Sequence, residues 1–332
     1  MGRRSNPLAR CRRRRPRGAA AAVALCLLTA PAAGASTGGL GVELGLRAAQ
    51  AAGDRGALEV LAAGDGPGAV RGRALWALYR GGSAPLSAKD RVLLAAALRD
   101  PAPEVRQAAL RWVGAAGDRT LEREALARAA GDPDTEVRIE ALRAVRPWAR
   151  HGQVFFLEQA LGAEQPRVRA EAVRNLAHMA YREVPPELFG RVAQWAAGGD
   201  PDFGVRAEAL EALGRWGRLE WGHVEAALGR RGAPESFRLR ALTLGDGLSR
   251  PEGWAGTLLG LLATDPSLRV AWEAYRRLSR SGAGEGELAP VLARLLPRLP
   301  EHNAATGEMA AYLRARGYRV EHRSGAWHVS GR

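Results

Sequence analysis

The sequence predicts an all-α fold, an α-solenoid of stacked helical hairpins, on the strength of three observations. A Val-Arg pair or a close variant recurs along the 332 residues at intervals of 35, 32, 31, 37, 32 and 31 residues. After the first residue of each pair, taken as position 0, apolar residues return at positions +4, +5 and +8, which share one face of a helix. An Asp-Pro dipeptide precedes most copies, and proline ends a preceding helix. A period of this length indicates stacked units, none of which can bury its apolar face alone.

Each copy is predicted to form the second helix of a helix-turn-helix unit, with aspartate in the turn before it because aspartate favours turns and helix caps. The turn aspartates are Asp100, Asp132, Asp200 and Asp265. The copies begin at Val70-Arg71, Val105-Arg106, Val137-Arg138, Val168-Arg169, Val205-Arg206, Phe237-Arg238 and Leu268-Arg269. The first helices are predicted at residues 85–99, 119–131, 153–163, 186–198, 220–230 and 253–263.

The recurring pattern DPxxxVRxxAxxAL resembles the HEAT-like repeats, in particular the short form first named from phycobilisome lyases. The resemblance covers roughly residues 56–281, and recurrence makes it specific. It implies a right-handed superhelix of the armadillo-like class, in which the second helices line a concave surface. Two copies depart from the pattern: the fourth, at Val168-Arg169, is preceded by Glu164-Gln165-Pro166 in place of Asp-Pro, and the seventh has Trp272 where alanine is expected.

The first 35 residues have the features of a secretory signal peptide. Eight arginines and no acidic residue lie within residues 1–17, an apolar run follows from Ala19 to Leu28, and Ala33-Gly34-Ala35 supplies a small-x-small cleavage pattern. We expect cleavage after Ala35 and export to a periplasm or to the cell exterior. An uncleaved anchor and a transit peptide are the alternatives, and membrane contact is expected only if the segment is retained.

The positive charge of the chain is concentrated in this predicted signal peptide. The formal net charge is +14, from 49 basic and 35 acidic residues, and removal of the eight arginines leaves 41 against 35. The remaining chain is mildly basic, which does not favour a nucleic-acid partner. Both cysteines, Cys11 and Cys26, lie in the same segment, so disulfide chemistry is excluded for the rest of the chain.

Four regions are predicted: a signal peptide at 1–35, an N-terminal linker and cap at 36–55, the solenoid at 56–299 and a C-terminal cap at 300–332. Three finer expectations complete this division: a linker at Ser36–Leu40, a glycine-rich joint at Gly282–Glu287 and one more first helix at Leu288–Leu299. The cap is predicted to combine a helix at Ala304–Arg316 with a short β-hairpin around Ser324-Gly325, because an exposed terminal repeat must be covered.

The arginine at position +1 is predicted to be structural. It lies in the middle of the apolar arc of the helical wheel and therefore points inward, where a guanidinium needs a partner. The turn aspartates are the nearest candidates, and the resemblance implies that such pairs form a ladder. The arginines concerned are Arg71, Arg106, Arg138, Arg169, Arg206 and Arg238.

The outward position +6 carries most of the residues predicted to bind a partner. It holds Trp76, Arg111, Arg143, Arg174 and Glu211, while position +3, also predicted to face outward, mixes both signs and includes Arg240. Because the resemblance places the second helices on the concave surface, the three arginines are expected to form a basic stripe there. The alternative is a solvated face on which glutamate and arginine pair weakly.

Most of the nine tryptophans are predicted to be core residues, since Trp148 and Trp216 at position +11 and Trp112 at position +7 fall on or beside the buried arc. Trp76 is the exception. The histidines show no ligand spacing; His322 and His328 could meet across the hairpin but have no third metal ligand. We therefore predict no metal and no cofactor.

No nucleophile, phosphate-binding or zinc-protease motif occurs in the sequence. The sequence therefore predicts a non-enzymatic scaffold that binds a protein along the concave face of the solenoid, outside the cytoplasm. Two alternatives stay open. One is an enzyme or enzyme subunit of the bilin-lyase type, and the other is a binder of nucleic acid or acidic polysaccharide, whose affinity would fall steeply with salt.

Overall fold

A computed structural model of the chain describes residues 37–81, 85–145, 154–230, 232–282, 285–299 and 303–331. The predicted signal peptide lies outside these residues. The described part contains 17 α-helices and one two-stranded antiparallel sheet at its C-terminal end, which confirms the predicted all-α repeat fold with a β-hairpin. The chain divides into two compact units, Met1–Trp148 and Ala149–Arg332, called unit 1 and unit 2 below.

Unit 1 is a stack of helical hairpins in which the second helices α3, α5 and α7 pack side by side, and α1 packs against α2 and α3. Its helices are α1 (Thr37–Ala52), α2 (Arg55–Ala63), α3 (Gly68–Gly81), α4 (Ala88–Ala97), α5 (Pro103–Ala116), α6 (Arg119–Ala129) and α7 (Thr135–Val145).

Unit 2 continues the pattern with second helices α9, α11, α13 and α15 packed in series. Its helices are α8 (Val154–Leu161), α9 (Pro166–Leu176), α10 (Pro186–Gln194), α11 (Phe203–Arg215), α12 (Trp221–Leu228), α13 (Glu235–Gly245), α14 (Trp254–Thr264), α15 (Leu268–Ser281), α16 (Glu285–Leu295) and α17 (Ala304–Arg314). The longest interval between copies, from Val168 to Val205, contains a 3-10 turn at Tyr181–Glu183 and a π turn at Trp195–Gly199.

The apolar arc predicted from the repeat is the core of both units. Residues at position +4, such as Ala109 and Ala209, are fully buried, and those at +5, such as Leu110 and Leu210, are 1% exposed. A buried alanine at +4 and a larger buried side chain at +5 recur from repeat to repeat, so each second helix presents the same apolar face to its neighbours.

The seventh copy has a different register from the predicted one. Leu268 was taken as its position 0, but the buried residues of α15 are Val270, Ala274, Tyr275 and Leu278, which places position 0 at Val270. The missed signal is Asp265, which lies five residues before Val270, as Asp100 does before Val105. In the correct register Ala274 occupies the alanine position, and Trp272 is no departure from the pattern.

Helices extend into two of the predicted linkers. Helix α1 begins at Thr37, within the expected linker, because Leu46 and Ala49 in the same helix are buried and anchor it despite its glycines. Helix α16 begins at Glu285, within the expected glycine-rich joint. It ends at Leu295 and passes into a 3-10 turn at Leu296–Arg298, earlier than the predicted helix end.

The C-terminal hairpin forms as predicted from β1 (Arg319–Arg323) and β2 (Ala326–Ser330), and its buried Val320 and Trp327 pack it onto the end of unit 2. The register pairs Glu321 with His328 and His322 with Trp327. Since neighbouring residues of a strand point to opposite faces, His322 and His328 do not meet, contrary to the possibility raised by the sequence.

Two of the tryptophans predicted to be core are confirmed as such. Trp112 is 4% exposed, and Trp216 is 9% exposed and donates from its indole nitrogen to the Met179 carbonyl at 3.3 Å. Trp148 lies outside the described residues.

No helix within the described ranges is long and apolar enough to cross a membrane.

One acidic residue is buried without compensation in unit 1. Glu122 in α6 is 9% exposed, and its Oε1 accepts no hydrogen bond among the described residues. Burial raises the pKa of Glu122 above its ordinary value of 4.5, and Asp118 adds to this while Arg119 opposes it. A carboxyl group whose pKa is raised by folding destabilises the folded state at pH values above 4.5, and this cost vanishes below that pH.

We therefore expect Glu122→Gln to raise the free energy of unfolding at neutral pH by about 1 kcal/mol. The difference from the wild type should disappear as the pH falls below 4.5, where the carboxyl group is protonated in both states. Urea denaturation at both pH values measures this. Glu124→Gln is the matched control, because Arg99 lowers the pKa of that exposed glutamate and the substitution should not stabilise. Equal stability of Glu122→Gln and wild type at neutral pH would contradict the expectation.

Candidate functional site

The inward-pointing arginines form the predicted ladder in four of six repeats. Each complete rung joins the arginine at +1 to the aspartate five residues before position 0 of the next repeat, through N–O contacts of 2.5 to 2.9 Å. The complete rungs are Arg71–Asp100, Arg106–Asp132, Arg169–Asp200 and Arg238–Asp265. Hydrogen bonding to Asp132 raises the pKa of Arg106, although burial opposes the shift.

The ladder aspartates also shape the turns. In each rung one carboxylate oxygen accepts the backbone amide two residues on, as in Asp132 with the amide of Asp134 at 2.9 Å and Asp200 with that of Asp202 at 2.9 Å. The arginine in turn donates to carbonyls of its own turn, for example Arg169 to Ala163 at 2.9 Å. Each rung therefore stabilises two turns, the one that holds its aspartate and the one that precedes its arginine. The role of these residues is to stabilise the fold.

Two ladder arginines have no aspartate at the expected position. Ala163 stands there for Arg138, which donates instead to the Asp132 carbonyl and, at 3.1 Å, to the Thr135 hydroxyl. Gly232 stands there for Arg206. The sequence analysis noted the departure before the fourth copy, at Val168, and missed the one before the sixth, at Phe237.

The residues predicted to bind a partner fall into two groups, one in each unit. In unit 1, Trp76 is 36% exposed, and the guanidinium of Arg111 lies over its indole ring at 5.6 Å from the ring centroid. Arg111 and Arg143 both contact Glu140, at 3.0 and 3.4 Å. Tyr79 packs against Trp76 with ring centroids 4.9 Å apart.

A surface cavity of about 380 Å³ brings the unit 1 residues together. Its walls include Trp76, Arg111 and Arg143, and its floor includes Gly114 and Ala144, where α5 and α7 approach closely. Hydrogen bonding to Glu140 raises the pKa of Arg111, although burial opposes the shift, so the guanidinium stays charged. We call this group, together with Glu140 and Tyr79, the tryptophan surface.

In unit 2, Arg174, Glu211 and Arg240 belong to one ion-pair network. Arg174 contacts Glu208 at 2.8 Å and also pairs with Glu171. Arg240 contacts Glu208 at 3.3 Å and Glu211 at 2.6 Å. Burial would raise the pKa of Glu208, but Arg174 and Arg240 lower it below its ordinary value, so the carboxylate is charged at neutral pH.

The glutamates at position +3 are buried, although the sequence analysis expected them to face outward. Glu140, Glu171 and Glu208 are 7%, 3% and 8% exposed. Glu140 and Glu208 lie where the preceding second helix packs, and an arginine side chain contacts each of the three glutamates. The arginines at +6 are therefore neutralised within each unit and do not form a free basic stripe.

A charge rule explains these contacts and was present in the sequence. In three places the residue at +6 of one repeat contacts the residue at +3 of the next, and the two residues have opposite charges. The pairs are Arg111–Glu140, Arg174–Glu208 and, with the signs exchanged, Glu211–Arg240. Exchange of the signs in the last pair is the signal that these positions are partners.

The described residues contain no group of three or more His, Cys, Asp or Glu side chains that could hold a metal ion.

No curated protein matched the chain. Residues 91–149, which span most of α4 and all of α5, α6 and α7, match the model of a family described as HEAT repeats. This match supports a HEAT-like helical repeat architecture for the chain, as the repeat pattern predicted, while the phycobilisome-lyase type stays a prediction.

Proposed function

We propose that this protein is a non-enzymatic scaffold that binds a protein partner, and that the tryptophan surface of unit 1 is the centre of contact. Helical repeat arrays offer many side chains at repeat spacing and are often used for protein interaction. The proposal extends to the network of Arg174, Glu211 and Arg240 in unit 2 as a second contact region.

The observation that carries the proposal is an exposed tryptophan beside arginine and tyrosine at a surface cavity. Tryptophan, tyrosine and arginine are the residues most enriched among those that dominate binding energy in protein interfaces. Trp76 is held in place by Tyr79 and Arg111, so its indole is preorganised and loses little conformational entropy on binding. Glu140 contacts both arginines and holds them at the cavity beside the indole.

The ion pairing weighs against the alternative of an anionic polymer as partner. A nucleic acid or acidic polysaccharide is bound by arginines whose charge is not already neutralised. Arg111, Arg143, Arg174 and Arg240 each contact a glutamate. The proposed protein contact should therefore keep most of its affinity when the salt concentration is raised.

Export is part of the proposal and rests on the N-terminal sequence. The arginine-rich start, the apolar run and the small-x-small pattern are typical of secreted proteins. We propose a periplasmic or extracellular partner, and membrane attachment only if the signal segment is retained. A bilin-lyase-type activity has no supporting observation among the described residues.

A pull-down from extracytoplasmic extract tests the proposal. We expect the chain to retain a protein partner, and Trp76→Ala to weaken the retained complex by about 2 kcal/mol or more, since it removes the exposed ring at the centre of the cavity. Val92→Ala is the matched control, because Val92 is a 72% exposed apolar residue in the same unit and lies outside the cavity.

The substitution at Trp76 is preferable to charge reversal at Arg111, because a glutamate there would face the buried Glu140 and destabilise the fold. Equal retention by Trp76→Ala and wild type would overturn the tryptophan surface as the site. Retention of only nucleic acid or polysaccharide would overturn the protein-binding function itself.

A further inference from the structure

One buried arginine of unit 2 lacks the carboxylate that most of its counterparts hold. Arg206 in α11 is 1% exposed, and its Nε and Nη2 have no hydrogen-bond partner among the described residues. Its guanidinium lies beside two aromatic rings that contact each other, with Cζ 5.1 Å from the centroid of Phe203 and 5.2 Å from that of Phe237. An aromatic ring attracts the cation but accepts no hydrogen bond in place of a carboxylate oxygen, so Nε and Nη2 are left unsatisfied.

The sequence explains why the carboxylate is missing. In the complete rungs it comes from an aspartate five residues before position 0 of the next repeat, and for Arg206 that position is Gly232. A Cβ there would meet nothing within 4 Å, so the point at which an aspartate side chain would begin is unobstructed. Asp200 does not replace it, because Arg169 holds both of its oxygens, at 2.8 and 2.9 Å.

A second guanidinium approaches the first. A Cβ at Gly198 would lie 3.4 Å from Nη2 of Arg206 and 3.1 Å from Nη1 of Arg230, so the two cations converge on one point. Burial and the charge of Arg230 both lower the pKa of Arg206, with Asp200 opposing them. Two like charges beside an open space are unfavourable unless an anion lies between them.

We propose that unit 2 binds a small carboxylate anion beside Arg206, with Arg230 as the second cationic contact. The anion occupies the place of the absent aspartate side chain and accepts hydrogen bonds from Nε and Nη2, the donors that remain unsatisfied. The site lies in unit 2 and does not depend on the partner surface proposed for unit 1.

The ligand class follows from the ladder. In the rungs Arg106–Asp132 and Arg169–Asp200 the arginine donates from Nε and Nη2 to the two oxygens of a carboxylate, a planar two-point contact. The same two atoms of Arg206 are the unsatisfied ones. A cavity of about 570 Å³, lined by Arg230 and Gly232 among others, opens at the position of the missing aspartate.

Acetate binding to the full chain tests the site directly. We expect titration calorimetry to show binding of sodium acetate in excess of sodium chloride at equal ionic strength. Acetate should also raise the Tm of the chain beyond the rise given by chloride, because a ligand that binds only the folded state stabilises it. N-acetylglycine is a second probe. If N-acetylglycine binds more tightly than acetate, the natural carboxylate belongs to a peptide terminus. If N-acetylglycine binds more weakly, the natural ligand is a free small acid.

Three variants locate the binding. Arg206→Met removes the donors and keeps an apolar side chain of similar volume beside the two rings, and we expect acetate affinity to fall about tenfold or more. Gly232→Asp supplies a carboxylate from the chain itself and should remove the acetate response. Gly232→Asn is its matched control: both place a side chain at a backbone φ of +77°, but only the aspartate brings a charge, so Gly232→Asn should still respond to acetate.

Absence of acetate binding to the wild type overturns the proposal, as does equal binding by Arg206→Met. If Arg206→Met does not fold, the comparison of Gly232→Asp with Gly232→Asn decides, since an equal acetate response of the two would place the anion elsewhere. A larger Tm rise with inorganic phosphate than with acetate at equal ionic strength overturns the carboxylate assignment.

Discussion

Arg169→Met should lower the free energy of unfolding by about 3 to 5 kcal/mol, the usual cost of leaving one partner of a buried ion pair alone. Asp200 is 3% exposed, and Arg169 binds both of its oxygens. The substitution also removes donors from the carbonyls of Ala163 and Glu164. Urea denaturation followed by circular dichroism measures the loss.

Arg206→Met is the matched control, because Arg206 holds the same repeat position in the neighbouring repeat of the same unit but has no carboxylate partner. Replacing an unpaired buried charge by an apolar side chain of similar volume is often neutral or stabilising. We expect little or no loss in the absence of a carboxylate. Equal losses for the two arginines would show that the volume of the side chain, and not the ion pair, stabilises the ladder.

A second change identifies the origin of the loss. In the Arg169→Met background, Asp200→Asn removes the uncompensated charge and keeps an oxygen that can accept the backbone amide of Asp202, which lies 2.9 Å from Asp200. We expect the double variant to be more stable than Arg169→Met alone, with a non-zero coupling energy between the two positions. If Asp200→Asn destabilised the Arg169→Met variant further, the unpaired carboxylate of Asp200 would be excluded as the cause of the stability loss.

Most of the fold could be predicted from the sequence because turn-forming residues mark the start of most repeats. Proline or aspartate in the turns and alanine and leucine on the apolar arc fix where helices begin and which face is buried, so the first helices lie within a few residues of their predicted bounds. The predicted register of the seventh copy was wrong because the Val-Arg pair was used to locate position 0. Leu268-Arg269 matches them, whereas the turn aspartate Asp265 gives the correct register.

The site was harder to predict because exposure of a helix surface depends on the neighbouring helix. A helical wheel places position +3 of α7 outside the apolar arc, but packing of α5 against α7 brings Arg111 over Glu140 and buries the glutamate. The wheel treats one helix at a time and contains no such contact. The missing aspartate partner of Arg206 could also have been predicted from the sequence. Gly232 stands at the aspartate position of the next repeat, but this has meaning only when each arginine is known to pair with an aspartate of the following repeat.

The second large effect concerns a close approach of two helices in unit 1. Gly114 of α5 lies against Ala144 of α7, and a Cβ on Gly114 would be 2.6 Å from Cα and 2.9 Å from the carbonyl oxygen of Ala144. These are backbone atoms, so no side-chain rotation relieves the contact and the helices must move apart. We expect Gly114→Ala to lower the free energy of unfolding by about 1 to 3 kcal/mol.

Gly190→Ala is the control for this substitution. Gly190 lies within α10, is exposed and has nothing within 4 Å of a Cβ, so alanine there should stabilise by about 0.5 to 1 kcal/mol through its higher helix propensity. The two variants make the same chemical change with opposite expected signs. A stabilising Gly114→Ala would mean that α5 and α7 are not in the close contact described.

The same substitution connects packing with the proposed function. Gly114 and Ala144 form the floor of the cavity beside Trp76, and the Arg111–Glu140 contact of 3.0 Å joins the same two helices. Separation of α5 from α7 would lengthen that contact and release the arginine that lies over the indole. Gly114→Ala should therefore weaken partner retention in the pull-down even under conditions where it remains folded, whereas Gly190→Ala should leave retention unchanged.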